Sequence, residues 1–118
     1  MDTKYQSCNP EVWGGLECTI NRIKDTFRDQ LKYARHYERT HDIDHIAAMG
    51  ISMLRYPILW EAHQHRNEEE KINWSQTSQQ LEKIRSNHMV PIAGLVHHGS
   101  GPKFTNLLDD HFAEKLAA

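Results

Sequence analysis

The side chains in this 118-residue sequence that could do chemistry are a few carboxylates at the ends of apolar runs and an excess of imidazoles, nine histidines in all. Glu17 and Glu61 stand at the ends of two apolar runs, Arg55 lies inside one, and His97-His98 closes a third. Two facing carboxylates could serve as a general acid/base pair. The unremarkable alternative is that each glutamate supports a neighbouring group or sits in a salt bridge. The histidines raise a second possibility, because zinc takes three or four ligands and His63, His65, His97, His98, His88 and His45 could supply them. Two features argue against a metal. His63 and His65 run into an acidic, solvated stretch centred on Glu68, Glu69 and Glu70. His97 and His98 point to opposite faces if their strand continues. We therefore expect neither a metal nor a cofactor.

These groups need elements to hold them. Three apolar runs of strand length occupy residues 12–20, 52–60 and 89–96, and the last two are nearly continuous in apolar residues. Continuous runs suit strands buried on both faces, as in parallel sheets. Helical patterns lie between and after them. Residues 42–49 place Ile43, Ile46 and Ala47 on one face, with Gly50 at the position of a left-handed C-cap. Residues 74–86 carry Leu81 and Ile84 on an otherwise polar surface, and residues 109–118 align Phe112, Ala113 and Leu116. Residues 24–39 are open between a weak helix on Phe27, Leu31 and Ala34 and an insertion loop.

Strand and helix alternate, which predicts an α/β fold with a parallel sheet and right-handed crossovers. A doubly wound nucleotide-binding sheet wants a Gly-rich turn directly after its first strand. The segment after the first run has no glycine, and Gly14-Gly15 falls near that run's start. A closed (β/α) barrel places its chemistry at the C-terminal strand ends. Those ends read as residues 17–22, Trp60-Glu61 and residues 97–102, all rich in polar and aromatic groups.

Composition narrows the partners. The net charge is −2 and the lysines and arginines are scattered, so a nucleic-acid partner is not expected. No apolar run approaches the roughly 18 residues of a membrane helix, and residues 1–10 lack the apolar core of a secretion signal. Two cysteines, Cys8 and Cys18, make no disulfide framework and suit a reducing cytoplasm.

Several motifs resemble one family of enzymes. Val12-Trp13-Gly14-Gly15 resembles the Phe-x-Trp-Gly opening of family 1 glycoside hydrolases, the β-glucosidase-like (β/α)8 TIM barrels. The segment from Gly50 to Trp60, Gly-Ile-Ser-Met-Leu-Arg-Tyr-Pro-Ile-Leu-Trp, resembles their second strand, Gly-x-x-x-Tyr-Arg-Phe-Ser-Ile-x-Trp. Val-Pro-Ile-Ala-Gly-Leu-Val-His from Val90 to His97, with Pro102 beyond it, resembles their third strand. Asn73 suits the loop before the second helix. The resemblance implies residues 1–118 form the first three β/α units of an incomplete barrel of a divergent branch. It implies substrate contacts from Asn21, which stands where the family has Gln, and from His97 and Trp60. Arg55 takes the place of the arginine beside the catalytic nucleophile. Pro57 replaces a serine of the family pattern. Glu17 and His98 replace residues of other types near the same site and join the substrate-binding candidates.

The resemblance also implies what this stretch lacks. The family's acid/base and nucleophile lie on strands four and seven in Asn-Glu-Pro and Glu-Asn-Gly contexts, and neither motif occurs here. Hydrolysis with retention needs two carboxylates about 5 Å apart. The expected parent activity is hydrolysis of O-glycosyl bonds in carbohydrate metabolism, with this stretch inactive alone. Its expected partners are a carbohydrate or glycoside substrate, and the remainder of the barrel or a further copy at open sheet edges. The alternatives are a barrel domain of a dTDP-4-dehydrorhamnose reductase-type fusion and a metal-dependent barrel hydrolase using the histidines.

Overall fold

The computed structural model describes residues 9–96 and 101–118. It is a mixed α/β structure built on a three-stranded parallel sheet that does not close into a barrel. In chain order the elements are β1 (Trp13–Gly15), β2 (Ile20–Ile23), β3 (Thr26–Asp29), α1 (Gln30–Tyr33), a 3-10 turn (His36–Glu38), α2 (Asp42–Ala48), β4 (Met53–Pro57), α3 (Trp60–His63), α4 (Ser75–Ser86), β5 (Val90–Gly94) and α5 (Phe112–Ala117). The sheet order is β1-β4-β5, the sequence order of the three apolar runs. Trp13 pairs with Met53 and Met53 with Val90; Gly15 pairs with Arg55 and Arg55 with Ile92.

The pleat sorts the central strand. Leu54 and Tyr56 point to one face and are almost fully buried with Ile43 of α2, Ile84 of α4 and Met89. Ile46, Ala47 and Leu81 pack around that cluster, as the helical periodicities predict. On the other face lie Trp13, Met53 and Val90 in one row and Gly15, Arg55 and Ile92 in the next. Trp13 is 60% exposed and Val90 52%, so among the described residues the helices cover one face only. Gly50 adopts φ +84° directly after α2, the left-handed stop expected there.

Four expectations are corrected. The first run is not one strand. β1 ends at Gly15, and Ile20–Ile23 instead pairs antiparallel with Thr26–Asp29 in a separate hairpin. Residues 24–39, read as weak helix or loop, therefore contain the second arm of that hairpin, then α1 and the 3-10 turn. The hairpin turns on Lys24 and Asp25, both at positive φ (48° and 59°). Gly14-Gly15 consequently closes β1 rather than opening it. The chain then enters the hairpin and not a helix, so no helix N-terminus stands behind the glycines to hold a phosphate. Finally, β4 stops at Pro57, and Trp60 and Glu61 form the first turn of α3.

Candidate functional site

On the sheet face turned away from the helices, Glu17 and Arg55 form an ion pair. Arg55 Nη1 donates to Glu17 Oε1 at 3.0 Å, joining the middle strand to the segment after β1. Both side chains remain partly open to water, 40% for Arg55 and 61% for Glu17. The flanking strands contribute glycines beside them. A Cβ on Gly15 would lie 3.6 Å from both Arg55 Cβ and Glu17 Oε1, and one on Gly94 would lie 3.9 Å from Arg55 Nε. Glycine within a strand marks places where something approaches the backbone closely. A guanidinium held there keeps a neighbouring carboxylate ionised and oriented.

Asn21 sits in β2 opposite Arg28, half-buried. It lines a shallow cavity of about 450 Å³ together with Glu17, Gln30 and Tyr33. The structure thus brings Glu17 close to Arg55 and to a cavity shared with Asn21. Trp60 is elsewhere. It is buried, its indole N–H donates to Gln64 Oε1 at 2.8 Å, and its ring packs against Phe104 and Phe112. The tryptophan expected as a substrate contact at a strand end is a core residue whose one donor is taken. Its packing partners come from the segment after β5, which the apolar pattern alone does not connect to it. His97 and His98 lie outside the described residues.

The remaining histidines do not gather. His63 Nε2 bonds Thr77 Oγ1 at 2.6 Å and its ring lies 4.8 Å from that of Trp74, where burial holds its pKa below the ordinary imidazole value. His36 is enclosed between Asp42 and Tyr56. Among the described residues no group of three or more His, Cys, Asp or Glu is arranged to hold a metal ion. Among the described residues no helix is long and apolar enough to cross a membrane.

The sequence pattern does not announce a second concavity. A cleft of about 660 Å³ opens where the connections that follow all three parallel strands meet. Ile20, Phe27 and Asp29 reach it from the hairpin after β1. Glu61, Ala62 and His65 reach it from beyond β4, and Pro102 and Lys103 from beyond β5. Glu61 is only 7% exposed, and its Oε1 accepts the backbone N–H of Gly101 at 2.8 Å. The acidic residue next to Trp60 was the sequence's one signal for this site.

Comparison with protein-family models, with curated proteins and with solved structures finds no match to this chain.

Proposed function

We propose that this chain is the first three β/α units of a glycoside hydrolase-like barrel, and that its parent activity is hydrolysis of O-glycosyl bonds. The observation that carries the reading is the one-sided sheet. Three parallel strands in sequence order have helices packed on the Leu54–Tyr56 face, while among the described residues no helix packs on the Arg55 face. A (β/α)8 barrel has this division, with helices outside and the other face turned toward the axis and active centre. In this reading Arg55 and Glu17 lie on the axial side, Arg55 steadying a nucleophile carried by a later strand. Asn21 and His97 contact sugar hydroxyls, and the acid/base and nucleophile come from strands four and seven.

The coding DNA beyond Ala118 tests the proposal. We expect an in-frame continuation with an Asn-Glu-Pro at the end of a fourth strand and a Glu-Asn-Gly further on. A continuation with neither motif, or a stop codon directly after Ala118, refutes it.

A further inference from the structure

We propose that the cleft at the C-terminal ends of the parallel strands binds an uncharged, polyhydroxylated ligand of mono- or disaccharide size through the Glu61 carboxylate. This goes beyond the barrel reading, because the cleft shares no lining residue with the Glu17–Arg55 face. Crevices outside the carboxyl ends of parallel strands are where α/β proteins bind ligands, and about 660 Å³ falls within the usual range for small-molecule sites.

Glu61 is the reason to expect a ligand rather than a mere groove. Its side chain is more than nine-tenths buried and lines the cleft. Oε1 is occupied by the Gly101 N–H, and among the described residues Oε2 has no hydrogen-bond partner and the carboxylate no cation. A buried carboxylate with spare acceptor capacity is costly unless something donates to it. Vicinal hydroxyls do so in pairs.

The charge of the lining selects against an ionic ligand. Asp29, Glu38 and Glu61 face Lys32, Arg66 and Lys103, so the two signs balance. Phe27, Ile20 and Pro102 add apolar surface suited to the C–H faces of a sugar ring.

The test is a nitrogen-15 NMR titration of the full 118-residue chain with glucose, galactose and cellobiose, and separately with methylammonium chloride. We expect saturable shifts of the Gly101 and Ala62 amides with at least one sugar and none with methylammonium. Glu61→Gln keeps an Oε1 acceptor for Gly101 but loses the charge, and should weaken sugar binding about tenfold. Phe27→Ala should also weaken it and provides an independent variant should Glu61→Gln fail to fold. Val90→Thr, an exposed position on the Arg55 face of the sheet, should leave the affinity within about twofold, which separates this cleft from that face. Four results would overturn the proposal: no saturable shift with any of the sugars, saturation by methylammonium instead, unchanged affinity in folded Glu61→Gln, or loss of binding in Val90→Thr.

Discussion

Glu61 Oε1 accepts the Gly101 N–H at 2.8 Å across 40 residues of chain, fastening the connection after β4 to the one after β5. Gly101 is itself constrained. Its φ is +76°, and an added Cβ would lie 2.8 Å from Thr105 Cγ2, 3.1 Å from Phe112 and 3.2 Å from Trp60. Trp60, Glu61 and Gly101 therefore form one packed joint at the end of the sheet.

Breaking that joint has separable costs. Glu61→Ala leaves a buried N–H without an acceptor and should destabilise by about 1–3 kcal/mol, whereas Glu61→Gln, which keeps an oxygen there, should cost less. Gly101→Ala combines a left-handed conformation with overpacking and should cost about 2–4 kcal/mol. Urea denaturation followed by tryptophan fluorescence measures all three. Equal stability of Glu61→Ala and Glu61→Gln would show that the Gly101 bond contributes nothing.

A second joint runs through His36. Asp42 accepts from Nδ1 at 2.8 Å, and the carboxylate can only accept, so a neutral imidazole has Nε2 free to take the Tyr56 hydroxyl proton at 3.0 Å. Tyr56 and His36 are both almost fully buried. Tyr56→Phe should therefore cost about 1–3 kcal/mol despite its near-identical shape, by leaving the ring nitrogen unpaired. A denaturation midpoint equal to that of the unaltered chain would contradict this.

Acid should act through Asp42. The Arg39 side-chain hydrogen bond, aided by His36, lowers its pKa from 3.8 to about 2 against the opposing effect of burial. The unfolded chain then holds more protons than the folded one between those values. The Asp42 contribution is complete above pH 3.8, declines as pH falls, and is lost near pH 2. Carbon-13 NMR titration of the carboxyl should find the low value, and Asp42→Asn should flatten the dependence of stability on pH in that window. An ordinary pKa for Asp42 would disprove the arrangement.

The Arg55–Glu17 pair should behave differently. Because both partners are partly solvated, Arg55→Gln should change stability by no more than roughly 1 kcal/mol. Under the barrel proposal the isolated chain should show no hydrolysis of aryl glycosides above background. Turnover abolished by Glu17→Gln or Glu61→Gln would place the catalytic carboxylates in this segment after all.

The parallel strands and the two helices flanking β4 were legible in the sequence because burial leaves a periodic trace. Ile43 and Ile84 mark the inward faces of α2 and α4, and the continuous apolar runs mark β4 and β5. The hairpin was not legible. Its turn is Lys24-Asp25 rather than Asn-Gly, so two residues at positive φ lack the composition that normally announces them. Trp60 falls outside the strand that its apolar run predicts for a related reason. Apolar residues continue past Pro57 into a helix, and hydrophobicity alone does not show where pairing stops. Glu17 and Arg55 were each singled out, but their contact depends on the register Gly15–Arg55, which only the folded sheet supplies.

The position of Pro91 gives the sheet a direction of growth. The Val90 N–H goes to Ser52 and the Gly94 carbonyl accepts from Ile58, so alternation turns Pro91 and Ala93 toward the open side of β5. Proline has no N–H, which leaves Ala93 as the single main-chain donor within β5 on that border. An incoming segment meets carbonyls at both positions but a donor at only one. Stray β-segments gain little from such a border, and a strand docking there must accept a gap in its ladder. The margin beside β1 has no proline and is the less protected of the two.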